Sequence, residues 1–131
     1  MRVAVLYSGF VRTWDQVKDN QFLNLGLNDL YFYTYEKPDY SGYTEYSNFT
    51  KIPEIYYPHF IDHLYHANKN PFSSVDSTLN QWHNQFIGFC LVPNDYEVYV
   101  KSRCDIELSG KIDFSQYEIN DTNIYIPSGN D

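Results

Sequence analysis

VAVLYSGFVRTW, residues 3–14, is the stretch that decides the fold. Val3 to Tyr7 is an unbroken apolar, β-prone run that stops at Ser8-Gly9, the pattern of a strand buried on both faces that runs into a tight turn. Thr13 and Gln16 then have the spacing of a capping box, and WDQVKDNQFLNL, from Trp14, supports a helix of modest quality. DLYFYTYE, residues 29–36, is dense in aromatic side chains and reads as a second strand. Strand, helix and strand in this order open an α/β domain whose central sheet is mostly parallel.

Further along, KPDYSGYTEYSNFTKIP, residues 37–53, has Pro, Gly, Ser and Asp without a sustained period and is expected to be a long loop or flap. PHFIDHLYHA begins with Pro58 at a helix N1 position and places Phe60, Ile61, Leu64 and Ala67 on one face. Val75, Leu79, Trp82, Phe86 and Phe89 recur at helical spacing up to Pro93, and that stripe is the expected buried face of the best helix in the chain. In YEVYVKSRCDIEL, residues 96–108, alternation puts Tyr96, Val98, Val100 and Cys104 on one face and Glu97, Tyr99, Lys101, Arg103 and Asp105 on the other. NIYIP, residues 123–127, reads as a last short strand stopped by its proline. No repeat, low-complexity tract or linker divides residues 1–131, so one domain is expected.

Composition narrows the function classes. The chain is 43% hydrophobic and 19% aromatic, with 14 tyrosines, which suffices to offset the entropy of ordering a compact core. A net charge of -8 with no clustered Lys or Arg argues against nucleic acid and anionic membranes as partners. A phosphate-bearing ligand would therefore need local arginine, a helix N-terminus or a divalent cation. The N-terminal apolar run is too brief for a signal peptide or a membrane span, and with Cys90 and Cys104 outside any metal-ligand spacing the expectation is a cytosolic protein with two reduced thiols.

Several groups of residues carry candidate chemistry, each with a plainer alternative. Period-two geometry puts Arg103 and Asp105 together at the carboxyl end of a strand, where open α/β sheets form ligand crevices. They are either a solvated ion pair or the edge of a site, with Asp105 on a cation or ribose hydroxyl and Arg103 on a phosphate or carboxylate. Ser8 and Gly9 allow close approach of backbone to ligand and Arg12 supplies positive charge, or else the segment is an ordinary β-to-α connection. His59, Asp62, His63 and His66 form one helical stripe with zinc-compatible spacing but without the glutamate base of HExxH, which favours a solvated polar face. His83 sits within the long helix, where a structural role outweighs that of a base. Tyr40, Tyr43, Tyr46, Tyr56 and Tyr57 crowd the middle segment and suit either sugar stacking or edge packing. No nucleophile elbow or GxxxxGK[ST] loop is present, which removes those hydrolase and P-loop readings, and the sequons at Asn48 and Asn120 matter only in a secreted protein.

The order of these pieces resembles a family of glycosyltransferases with a GT-A-like fold found in bacteriophages, large viruses and bacteria. VAVLYSGFVRTW is similar to that family's opening strand and SGx-hydrophobic-R turn. STLNQWHNQFIGFCLV, YEVYVKSRCDIEL, KIDFSQY and NIYIPSGND follow in the family's order. The resemblance implies a three-layer, Rossmann-like domain that takes a nucleotide-sugar donor, assisted by Mn²⁺ or Mg²⁺, for transfer to an acceptor. It places Ser8, Gly9, Arg12, Arg103, Asn130 and Asp131 on the donor and Asp105 on the metal. Cys104 stands where family members carry proline, and the family continues past the GND stretch, so the likeness covers a nucleotide-binding half that is incomplete at its C-terminus. The alternative is a non-catalytic carbohydrate-binding or virion structural module using the tyrosine-rich segment.

Overall fold

A computed structural model describes residues 2–26, 28–40, 46–53 and 75–126, with residues 75–78 described in their backbone alone. The elements run β1 (Val3–Gly9), α1 (Trp14–Leu25), β2 (Asp29–Thr34), β3 (Ser47–Lys51), α2 (Val75–Leu91) and β4 (Val98–Ser102), followed by a 3₁₀ turn at Phe114–Gln116. The four strands form one sheet in the order β3-β2-β1-β4. All three pairings are parallel, with Val5 opposite Leu30 and Val100, and Phe32 opposite Phe49. This is an α/β fold with an all-parallel sheet.

Alternation along β1 divides the core into two layers. Val3, Val5 and Tyr7 pack with Trp14, Val17, Phe22 and Leu25 of α1, and Ala4 and Leu6 pack with Val92, Tyr96 and the half-buried Phe89. The two helices thus cover opposite faces, which is why β1 reads as a continuous apolar run. The α1 layer is largely aromatic: Tyr7 stacks on Phe32 at 4.9 Å, and Trp14 meets Tyr7, Phe32 and Phe22 edge-on at 5.0, 5.3 and 5.5 Å. At the amino end of the sheet, the Tyr96 hydroxyl donates to Asp29 Oδ2 at 2.6 Å, and Arg2 lies 4.4 Å over the Tyr96 ring while pairing with Asp95 at 2.6 Å.

Several expectations change in the folded chain. Thr13 precedes α1 without a side-chain capping bond, so the Thr13/Gln16 capping box is not formed; the helix is entered through a turn in which Trp14 N–H donates to Val11 O at 3.0 Å. The 37–53 segment is not wholly a loop, because its last part is β3, an outer strand whose polar sequence suits half-exposed packing. Tyr96 lies ahead of β4 and belongs to the α2 layer, apart from Val98, Val100 and Cys104 in the α1 layer. Residues 123–126 pair with no strand among the described residues, and Ile124 and Ile126 are exposed.

The largest correction concerns α2. Its expected core residues Trp82 and Phe86 are 65% and 66% exposed, whereas Asn84 and Gly88 are buried. A Cβ on Gly88 would stand 3.1 Å from a Leu6 methyl, so the helix approaches β1 through its one glycine and rotates the bulkier stripe outward. Among the described residues no helix is long and apolar enough to cross a membrane. The helix expected at residues 58–67 lies outside the described residues.

Candidate functional site

Parallel pairing of β1 with β4 sets the chain leaving each strand side by side at the carboxyl edge of the sheet. β1 ends at Gly9 with φ +97°, and Arg12 itself sits in the left-handed region at φ 47°, a conformation that costs a non-glycine residue about 1–2 kcal/mol. The turn so formed carries the Arg12 guanidinium to 3.9 Å from Asp105 Oδ2 and over the exposed Phe10 ring at 5.3 Å. Phe10 in turn stacks on Tyr35 at 4.6 Å.

From the other side, Arg103 grips Asp105 with two parallel bonds, Nε to Oδ1 and Nη2 to Oδ2, both 2.9 Å. The pair does not arise from strand alternation, since β4 ends at Ser102 and residues 104–105 form a turn. The Arg103 hydrogen bond, reinforced by its charge and that of Arg12, holds the Asp105 carboxyl below the usual carboxylate range. Both guanidiniums are more than half exposed while the carboxylate is 19% exposed, so the cations face solvent and the anion lies behind them. Two guanidiniums around one carboxylate make a locally positive edge on a chain of net charge -8.

What holds this turn is a set of amides on α1. Gln21, fully buried, accepts hydrogen bonds from Tyr7 Oη at 3.0 Å and Ser102 Oγ at 2.9 Å, and its amide nitrogen donates to the carbonyls of Arg103 at 3.0 Å and Ile106 at 2.8 Å. Asn20 brackets Leu108 by donating to its carbonyl at 3.0 Å and accepting from its N–H, and Asn24 O receives Ile112 N–H at 2.8 Å. Sequence reasoning missed these residues. Their signal is visible in retrospect: Gln21 and Asn24 fall on the stripe with Trp14, Val17 and Leu25, which puts polar groups at core positions of a helix.

Two neighbours complete the edge. Cys104 is buried and burial pushes its thiol up to about 12, so it stays protonated and is unsuited to nucleophilic work. Lys101 is half-buried, with its ammonium donating to the Ser102 carbonyl, and burial, aided by the Arg103 charge, lowers its pKa to about 8. Its unfolded value is 10.5, so between about pH 8 and that value the unfolded chain binds more protons and stability rises with pH; below pH 8 the burial cost is present in full. Lys101→Met is therefore expected to stabilise the fold by about 1–2 kcal/mol near pH 7, with the gain fading toward pH 10, as read from urea midpoints at both pH values.

A shallow hollow lies along the same edge at the ends of β2 and β3, lined by Tyr33, Tyr35, Ile52, Pro53, Asn80, His83 and Asn84. Asn84 donates to the Tyr35 hydroxyl at 3.3 Å, and Phe10 on Tyr35 connects this hollow to Arg12.

Of the expected site residues, Ser8 and Gly9 lie half-buried at the end of β1, and Arg12, Arg103 and Asp105 come together. Asn130 and Asp131 lie outside the described residues, as do His59, Asp62, His63, His66, Tyr43, Tyr56 and Tyr57. Tyr40 stacks on Phe32 at 5.2 Å against the α1 layer, so the edge-packing alternative applies to it. Both Asp105 oxygens accept from Arg103, and among the described residues no group of three or more His, Cys, Asp or Glu is placed to hold a metal. Comparison of the chain with protein-family models, with curated proteins and with solved structures finds no match.

Proposed function

We propose that this chain carries the donor site of a GT-A-like glycosyltransferase, taking a nucleotide sugar at the carboxyl edge of β1 and β4. The observation that carries the reading is the convergence of Arg12 and Arg103, from the ends of two adjacent parallel strands, on Asp105. Parallel α/β sheets bind ligands at this edge, and two exposed guanidiniums supply the charge that an anionic diphosphate requires on an acidic chain. The order of sequence motifs described above supports the same class.

In the proposed reaction the bond between the sugar C1 and the β-phosphate oxygen breaks, and its electron pair leaves with the nucleoside diphosphate. An acceptor hydroxyl forms the new bond to C1 and passes its proton to solvent water. Arg12 and Arg103 bind the diphosphate and stabilise the charge that grows on it as it departs. Ser8 and Gly9 let the backbone come close to the nucleotide, and the Phe10–Tyr35 pair offers an aromatic surface beside the phosphates.

The test is calorimetric titration of the chain with UDP, GDP and their sugar conjugates in the presence of Mn²⁺. Saturable binding that weakens tenfold or more in Arg12→Ala is the expected result. Absence of binding to well-folded protein with every nucleotide would overturn the reading.

A further inference from the structure

We infer that the site takes its diphosphate directly on Arg12 and Arg103 without a divalent cation, and that Asp105 is a positioning residue for the two guanidiniums. The inference rests on the donor-site reading above and departs from the metal role that the sequence resemblance implies for Asp105.

Three observations carry it. The first is the occupancy of the carboxylate. Arg103 binds Asp105 through both oxygens at 2.9 Å, and Arg12 approaches Oδ2 to 3.9 Å, so a cation reaching either oxygen has to displace a guanidinium. The second is charge. Arg12, Arg103 and Asp105 together sum to one positive charge, which suits an anion; a divalent cation in their midst would add two more positive charges beside two fixed ones, with one carboxylate to offset them. The third is geometry. Gly9 and Arg12 both occupy the left-handed region, and Gln21 tethers the carbonyls of Arg103 and Ile106, so the chain on each side of the site is held in the shape that points an arginine at the same place.

Asp105 then acts as a stand-in anion before ligand arrives. It keeps two like-charged guanidiniums close together at a spacing that a diphosphate, with its several acceptor oxygens, can take over. Exposure supports this exchange: both arginine side chains are more than half exposed, so phosphate oxygens can reach their N–H groups from solvent.

The deciding experiment is calorimetric titration of the full chain with UDP and GDP, once in EDTA and once in Mn²⁺. The expected result is the same dissociation constant in both, within about twofold. In EDTA, Arg103→Ala and Arg12→Ala are each expected to weaken binding tenfold or more, in line with loss of a charge-assisted contact. Asp105→Asn is expected to weaken binding by about three- to tenfold and by the same factor in EDTA and in Mn²⁺, because it loosens the two guanidiniums without removing a cation. Binding that appears only with Mn²⁺ and vanishes in Asp105→Asn overturns the inference and leaves the donor-site reading standing. Absence of binding in both buffers overturns the donor-site reading and the inference together. The wild-type comparison between buffers needs no variant to fold, so it decides the matter even where a substitution is disruptive.

Discussion

Replacing Gln21 with leucine is expected to lower the free energy of unfolding by about 3–5 kcal/mol, although the two side chains are close in volume. The side chain of Gln21 is fully buried and uses its carbonyl to accept from Tyr7 and Ser102 and its nitrogen to donate to the carbonyls of Arg103 and Ile106. Leucine fills the space and removes the partner of two buried hydroxyls and two part-buried carbonyls. Tyr7 and Ser102 are near enough to bond each other, which softens the loss, but the two part-buried carbonyls lose the amide that ties them to α1. Each buried group left unpaired costs about 1–3 kcal/mol. Urea unfolding measures the total, and amide hydrogen exchange measures its location, with protection expected to fall first across residues 103–106. A loss under about 1 kcal/mol would show that the turn holds itself.

Gln21→Glu is the sharper companion. Its carboxyl would face the same two carbonyls and must keep a proton to donate to either, so its folded pKa is raised above the unfolded value of about 4.3. The folded state then binds more protons than the unfolded state above that pH, and stability falls as pH rises. The variant is expected to lie nearer wild type at about pH 5 than at about pH 7, a trend that Gln21→Leu lacks.

The second large effect is expected at Trp14. Trp14→Ala should cost about 3–5 kcal/mol, the range for removing a buried tryptophan. Trp14 is fully buried, touches the rings of Tyr7, Phe22 and Phe32, and donates its indole N–H to Asp39 O at 2.8 Å. The residue therefore joins α1, β1, β2 and the segment after β2 at one point. Trp14→Phe keeps an aromatic body and loses the Asp39 bond, so a smaller cost of about 1–2 kcal/mol is expected. Fluorescence provides an independent check, because the chain has two tryptophans and the other, Trp82, is exposed. Trp14→Ala should lose the blue-shifted part of the native emission and keep a solvent-like spectrum. Equal stability of Trp14→Ala and wild type would mean that the aromatic layer is not the centre of the core.

Most of the secondary structure was legible in the sequence because it is written in local terms. Val3 to Tyr7 is apolar without interruption since both faces of β1 are covered, and the α1 bounds, Trp14 to Leu25, coincide with the stretch read as helical. The α/β class followed from that strand, helix and strand order. β3 was not legible: Ser47 to Lys51 is polar and short, and it becomes a strand through pairing with β2, which no local pattern encodes. The face of α2 was misread for a related reason. Periodicity gives the spacing of a stripe but not the partner's shape, and Gly88 against Leu6 selects a closer approach than Trp82 or Phe86 would permit.

The candidate site divides along the same line. By itself the sequence determined which charged groups were available near strand ends, Arg12 after β1 and Arg103 with Asp105 after β4, since the chemistry of a side chain and its distance from a strand end are local properties. The tertiary structure alone decided that β1 and β4 are neighbours, that both arginines meet one carboxylate, and that Gln21 of α1 holds the turn between them. Strand order and burial depend on which distant segment lies alongside, so residues far apart in the chain acquire a shared environment only when the sheet forms.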